Sequence, residues 1–167
     1  MAEKEGPFEG GCTCGYVRYR VTSRPLIVHC CHCSKCQVQS GAAFAINALV
    51  EADRVEVTSG EVSEVVVATP SNKNQRIARC PRCQVAVWSN YLVLAGVLGE
   101  YVRFVKVGTL DDPAAMPPDV HIYAAAKQPW LELPPGSRVY DEYYDTNEIW
   151  SEASLERRDA LFALAKQ

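Results

Sequence analysis

The chain has 167 residues, with 17 Lys and Arg against 20 Asp and Glu for a net charge of −3. That length suits one domain with a core of its own, no apolar run is long enough to span a bilayer, and the mild acidity speaks against a general nucleic-acid binder. Residues 1–7 are polar and charged with no apolar signal core, so a cytoplasmic location and no membrane association are expected.

In chain order, the first strand pattern covers residues 16–22, where Val17, Tyr19 and Val21 alternate with Arg18 and Arg20, as a half-buried strand requires. Further strands are predicted over 26–30, 43–50, 54–58, 62–69, 85–89, 101–107 and 120–124, with helical turns at 34–40 and 111–115. Short strands at such spacing, separated by Gly, Pro, Asn, Asp or Ser, predict a mainly antiparallel β protein. Residues 129–150 hold Pro134-Pro135-Gly136 and many aromatics, and read as an arm wrapping the β core. From Ser151 on, a Ser N-cap, early acids and a late Lys mark a C-terminal helix. Leu155, Leu161, Phe162 and Leu164 give it an apolar face that needs cover. The division expected is a β domain over 1–130, with 131–167 packed on it as arm and helix.

All eight cysteines fall in three clusters: Cys12-Thr13-Cys14, the run His29-Cys30-Cys31-His32-Cys33-Ser34-Lys35-Cys36, and Cys80-Pro81-Arg82-Cys83. In a reducing compartment such pairs serve metal before disulfides, because each sets two thiolates about one ion apart. Cys12 and Cys14, two apart, share a face. With Cys80 and Cys83 they make a closed, structural four-cysteine zinc site. Cys31, Cys33 and Cys36 then give three thiolates and an open fourth position, the pattern of a catalytic zinc. Cys30 points away from Cys31 in an extended chain. The competing reading is that Cys30, His29, His32 or His121 closes that position and makes both zincs structural.

Gly10-Gly11-Cys12-Thr13-Cys14-Gly15-Tyr16, the second cluster with Ser40-Gly41-Ala42-Ala43-Phe44, and Arg79-Cys80-Pro81-Arg82-Cys83 together resemble the glutathione-dependent formaldehyde-activating enzyme family. Val107-Gly108-Thr109-Leu110-Asp111-Asp112-Pro113, His121-Ile122-Tyr123 and Gln128-Pro129-Trp130 continue the likeness in the right order. The resemblance implies an Mss4-like, mainly β fold and two zinc ions per chain, with Cys12, Cys14, Cys80 and Cys83 structural and Cys31, Cys33 and Cys36 catalytic. It also implies carbon–sulfur lyase chemistry run toward addition, with a thiol such as glutathione adding to formaldehyde or another small aldehyde. Two positions depart from the family pattern. Gln84 stands where a Gly is usual, and Cys30 adds a thiol beside the second site that can oxidise or compete for metal.

Glutathione is anionic, and Lys73, Arg76, Arg79 and Arg82 are the only charged residues between Glu64 and Glu100. Arg79 and Arg82 adjoin zinc ligands and are read as offsetting thiolate charge. Lys73, Arg76 and Lys35 are the candidates for substrate, and His121 and Trp130 join them through the resemblance. A second reading, from another class, is a non-catalytic zinc-stabilised module that binds protein or nucleotide; it requires a closed or empty second site and no glutathione-dependent turnover. The aromatic arm and tail helix offer a surface for a homodimer.

Overall fold

The computed structural model is described for residues 5–69, 74–92 and 98–166. A seven-stranded sheet forms the middle of the molecule, in the order β10-β3-β4-β9-β8-β7-β6. Its strands are β3 (Ile27–Cys31), β4 (Ala45–Glu51), β6 (Ser63–Val67), β7 (Gln75–Arg79), β8 (Ala86–Tyr91), β9 (Val102–Lys106) and β10 (Val120–Ile122). A smaller sheet of β1 (Phe8–Gly11), β2 (Arg18–Val21) and β5 (Val55–Ser59) completes the strands. Every pairing is antiparallel except that of β10 with β3.

The alternation read in β2 sets the first core. Val17, Tyr19 and Val21 are fully buried and pack with Val50, Trp88 and Val105 of the large sheet. Tyr19 meets Trp88 edge to face at 5.6 Å. Outward, Arg18 donates to Asp111 from both terminal guanidinium nitrogens and Arg20 donates to Glu9 at 2.7 Å. The other face of the large sheet forms a second core of Ile27, Leu49, Leu98, Val102, Val120 and Ile122.

That second core is covered from the C-terminal side. The arm runs beside β10, with His121 and Val139 bridged in parallel and Tyr140 N–H donating to the His121 carbonyl at 2.9 Å. Tyr144 enters the core and its hydroxyl bonds His29 Nε2 at 2.6 Å. The short helix α2 (Thr146–Ile149) leads to α3 (Glu152–Leu164), which Ser151 caps by accepting from Ser154 N–H. Helix α3 is held less by a broad apolar stripe than by anchors. Leu161 is buried, the Ser154 hydroxyl donates to the Leu26 carbonyl at 2.8 Å, and Arg157 pairs with the buried Glu51, while Leu164 stays exposed. Its apolar residues do not line up on one face, which is why Ser and Arg do part of the docking.

Eight strands match the predicted patterns, and the turn at 34–40 is the helix α1 (Ser34–Ser40). Strands β1 and β7 carried no readable pattern. Strand β1 ends in two glycines, and a side chain at Gly10 would come within 2.7 Å of the Thr109 carbonyl and the Tyr19 ring. Strand β7 hides Gln75, Ile77 and Ala78 among arginines. No helix of the described residues is long and apolar enough to cross a membrane.

Candidate metal centres and an adjoining cavity

Two tight turns bring the first and third cysteine clusters together. In one, Cys12 N–H donates to the Val17 carbonyl and Gly15 N–H returns to the Cys12 carbonyl, both at 3.0 Å. In the other, Cys80 N–H donates to the Val85 carbonyl and Gln84 N–H to the Cys80 carbonyl, again at 3.0 Å. Each turn ends in a left-handed residue: Gly15 has φ of 77° and Gln84 of 62°. Gln84 therefore adopts the conformation that glycine would take at less cost, and its side-chain amide donates to the Pro81 carbonyl at 3.0 Å.

The Sγ atoms of Cys12, Cys14, Cys80 and Cys83 all lie within 4.8 Å of one another, with Cys12 to Cys14 at 3.5 Å and Cys14 to Cys80 at 3.7 Å. Four thiolates bound tetrahedrally to zinc stand about 3.8 Å apart, the edge that follows from a zinc–sulfur bond of about 2.3 Å. Backbone N–H groups of Val17 and Arg82 point at Cys12 and Cys80 Sγ, at 3.3 and 3.4 Å. Such donors stabilise thiolate charge. The donor set fits a closed zinc site. Beside it, Arg82 lies over the Tyr16 ring at 3.7 Å and Arg79 donates to the Gln84 carbonyl at 3.0 Å.

The second centre is built where β3 turns into α1. Cys31 ends the strand, Cys33 is the N-cap of α1 and accepts from Cys36 N–H at 3.4 Å, and Cys36 sits one turn into the helix. Their three Sγ atoms lie within 4.8 Å of one another. Hydrogen bonds from Cys31 and Cys36 hold the Cys33 thiol far below its ordinary value, and the same sharing pushes Cys31 up. Among the described residues, no fourth ligand atom joins this group within that reach. His29, on the same face of β3 as Cys31, is occupied by Tyr144.

Cys30 faces the other way, as an extended chain dictates, and meets His32 and His121 there in a separate group. Burial pushes the Cys30 thiol up to about 12. Burial also pushes His32 and His121 below the ordinary imidazole value, which favours their neutral forms.

A cavity of about 500 Å³ opens beside Cys36. Phe44, Ile46 and Ile77 give it apolar walls, and Arg79 and Lys106 give it positive charge. Lys106 projects from β9 and donates to Asn47 Oδ1 of β4, its register partner, at 2.8 Å. Burial pushes its ammonium down, against the upward pull of the facing Cys36 and Cys31 sulfurs. The substrate candidates named from sequence stand elsewhere. Lys35 donates to the Ala68 carbonyl at 3.2 Å, Arg76 pairs with Glu64 and Glu100, and Trp130 is 69% exposed. His121 belongs to the Cys30 group, and Lys73 lies outside the described residues.

Sequence reasoning missed Lys106, which ends a strand that also carries Arg103, so no local pattern set it apart. It also placed Arg79 with the zinc ligands alone, whereas Arg79 reaches the cavity as well.

Fold and sites together define a mainly β protein with paired-cysteine groups that could hold metal. The chain belongs to the glutathione-dependent formaldehyde-activating enzyme family, whose model matches residues 7–126. It is 32% identical over 130 residues to a Halomonas elongata protein provisionally named a glutathione-dependent formaldehyde-activating enzyme, covering 75% of this chain and 80% of that one. The solved structure of a Rhodobacter sphaeroides protein overlaps 62% of this chain and 87% of its own, at 20% identity and a TM-score of 0.46.

Proposed function

We propose that this chain is a zinc-dependent carbon–sulfur lyase-type enzyme that joins a thiol such as glutathione to a small aldehyde such as formaldehyde. The observation that carries the reading is the three-thiol group of Cys31, Cys33 and Cys36, of which Cys36 lines a cavity together with Arg79 and Lys106. Cys12, Cys14, Cys80 and Cys83 would hold a structural zinc, and Cys31, Cys33 and Cys36 a catalytic one. When bound by three thiolates, zinc favours a soft sulfur ligand over water and lowers the pKa of a substrate thiol, so that thiolate is present at neutral pH.

The reaction balances as an addition. The sulfur lone pair forms the new bond to the carbonyl carbon, the C=O π pair moves to oxygen, and the proton lost by the thiol ends on that oxygen as S-(hydroxymethyl)glutathione. Arg79 and Lys106 bind the carboxylates of the thiol substrate by charge-assisted hydrogen bonds. Phe44, Ile46 and Ile77 keep water from the cavity wall, which strengthens those contacts. The two cations also fix the substrate's orientation, so the sulfur enters at the Cys36 end. All eight cysteines are free thiols, which suits a reducing, cytoplasmic setting. Arg76, Lys35, His121 and Trp130 stand outside the cavity wall.

The test is stopped-flow depletion of glutathione by formaldehyde, with the uncatalysed addition subtracted. Cys33→Ala should bring the rate down to the uncatalysed one while the far-ultraviolet spectrum is kept. Lys106→Met should raise KM for glutathione about tenfold, corresponding to roughly 1.4 kcal/mol of lost binding, with a smaller change in kcat. A wild-type rate no faster than the uncatalysed addition would sink the enzyme reading in favour of a binding module.

A further inference from the structure

We propose that Cys30, His32 and His121 form a third metal site, on the face of β3 opposite the three-cysteine group, for a borderline-soft divalent cation of the zinc type. It is separate in its ligands from both cysteine sites and does not depend on the reaction proposed above.

The spacing of the three ligand atoms is that of one ion. Cys30 Sγ lies 3.6 Å from His32 Nε2, and His32 Nε2 lies 3.0 Å from His121 Nδ1. Zinc–nitrogen bonds of about 2.0 to 2.1 Å and zinc–sulfur bonds of about 2.3 Å place tetrahedral ligands about 3.3 Å apart for a nitrogen pair and about 3.6 Å for nitrogen and sulfur. The nitrogen–sulfur separation matches, the nitrogen pair stands slightly closer as a hydrogen-bonded pair does without an ion, and all three atoms are within 4.8 Å of each other.

The ligands are held by the sheet rather than by a loop. His121 is the register partner of Cys30 in the parallel pair of β10 and β3, so their side chains share a face. His32 is two residues beyond Cys30, and its N–H donates to the Ile122 carbonyl at 3.0 Å, which extends the same alternation. The His32 and His121 rings stack at 5.3 Å, and the Phe44 ring meets His32 edge-on at 5.7 Å. Parallel pairing also explains why no sequence pattern announced the group. His121 is far along the chain, and only the crossover from β3 to β10 sets it beside Cys30.

Burial argues against a merely polar role. Cys30 is 2% exposed and His32 is fully buried, while His121 is half-buried. A hydrogen bond between the histidines uses one nitrogen of each ring and leaves His32 Nδ1 without a partner in the interior. That nitrogen is on the far side of the ring from the group and would be unchanged by an ion at Nε2; what favours an ion is that three donor atoms converge where water has little access. One thiolate and two neutral imidazoles make a donor set suited to zinc or cobalt. Binding releases the Cys30 proton to solvent as the sulfur–metal bond forms. The ion site then carries a net charge near plus one, unlike the net negative charge of a zinc bound by three or four cysteines.

The test uses the full chain, equilibrated with excess ZnCl2 and desalted, with zinc per chain measured by mass spectrometry. Cys30→Ala and His121→Gln should each hold one ion fewer than the wild type. In a parallel titration with CoCl2, the thiolate-to-cobalt charge-transfer band of the last equivalent should be lost in Cys30→Ala. Equal zinc counts in the wild type and both folded variants overturn the proposal. Should a variant lose its fold by circular dichroism, anomalous scattering at the zinc edge from wild-type crystals grown with ZnCl2 decides. A peak between Cys30, His32 and His121 supports the site, and no peak there overturns it. Because the readout is the number and place of ions, it stands or falls apart from any turnover of glutathione.

Discussion

His29 shows how one buried group makes stability depend on pH. It is 2% exposed, its Nε2 bonds the Tyr144 hydroxyl, and burial pushes it down to about 3. In the unfolded chain it would titrate near its ordinary value, so between about pH 6.5 and 3 the unfolded state binds the extra proton. Its share of stability is therefore complete above that window and lost as pH falls through it. At pH 5 the loss should be about 2 kcal/mol relative to pH 8. The cysteines titrate too, so the measurement is a difference: urea unfolding of wild type and His29→Gln at both pH values, with the variant expected to show the smaller decrease. Equal decreases would mean that His29 is not neutral in the folded protein.

At the level of elements, α3 is tied down by charge as much as by apolar contact. Glu51, at the end of β4, is 4% exposed and takes Arg157 Nε at 2.6 Å, with Arg54 behind it at 3.4 Å. Arg157 Nη2 also donates to the Arg24 carbonyl at 3.0 Å. Removing Arg157 leaves a buried carboxylate with one weaker partner. Arg157→Ala should cost about 3 kcal/mol in urea unfolding, near the lower end of what breaking a buried pair costs because Arg54 remains. A loss below about 1 kcal/mol, the size of an exposed ion pair, would show that α3 depends on Leu161 and Ser154 instead.

Across the whole molecule, the two cysteine centres differ in what depends on them. The four-cysteine group joins the loop after β1 to the loop after β7, 66 residues apart at Cys14 and Cys80, and sits against the first core through Cys12 and Cys80. A structural zinc held by these four thiolates, as proposed, would contribute on the order of 10 kcal/mol, comparable with the whole stability of a domain. Cys80→Ala should leave the chain largely unfolded at room temperature by far-ultraviolet circular dichroism. Cys33→Ala, at a group that closes only the local turn from β3 to α1, should keep its spectrum and melt within several degrees of the wild type. If both variants behave alike, the assignment of a structural and a functional centre is wrong.

Much of this was legible in the residues themselves. Period-two alternation is local, so β2 showed its buried face, and so did most strands whose two sides differ in polarity. The cysteine pairs were legible for a related reason, since thiols two or three residues apart are brought together by a single turn, whereas joining Cys12 and Cys14 to Cys80 and Cys83 took the tertiary fold. Side-chain alternation alone set Cys30 apart from Cys31. Tertiary structure decided what depends on distant pairing. It placed Arg79 and Lys106 on one cavity, gave Arg76 to Glu64 and Glu100, and left Trp130 at the surface. It also set His121 beside Cys30 through the parallel pairing of β10 with β3. A sequence fixes which side of a strand a residue faces; which neighbour it meets there depends on strand order and register, and those are settled only when the whole sheet closes over its cores.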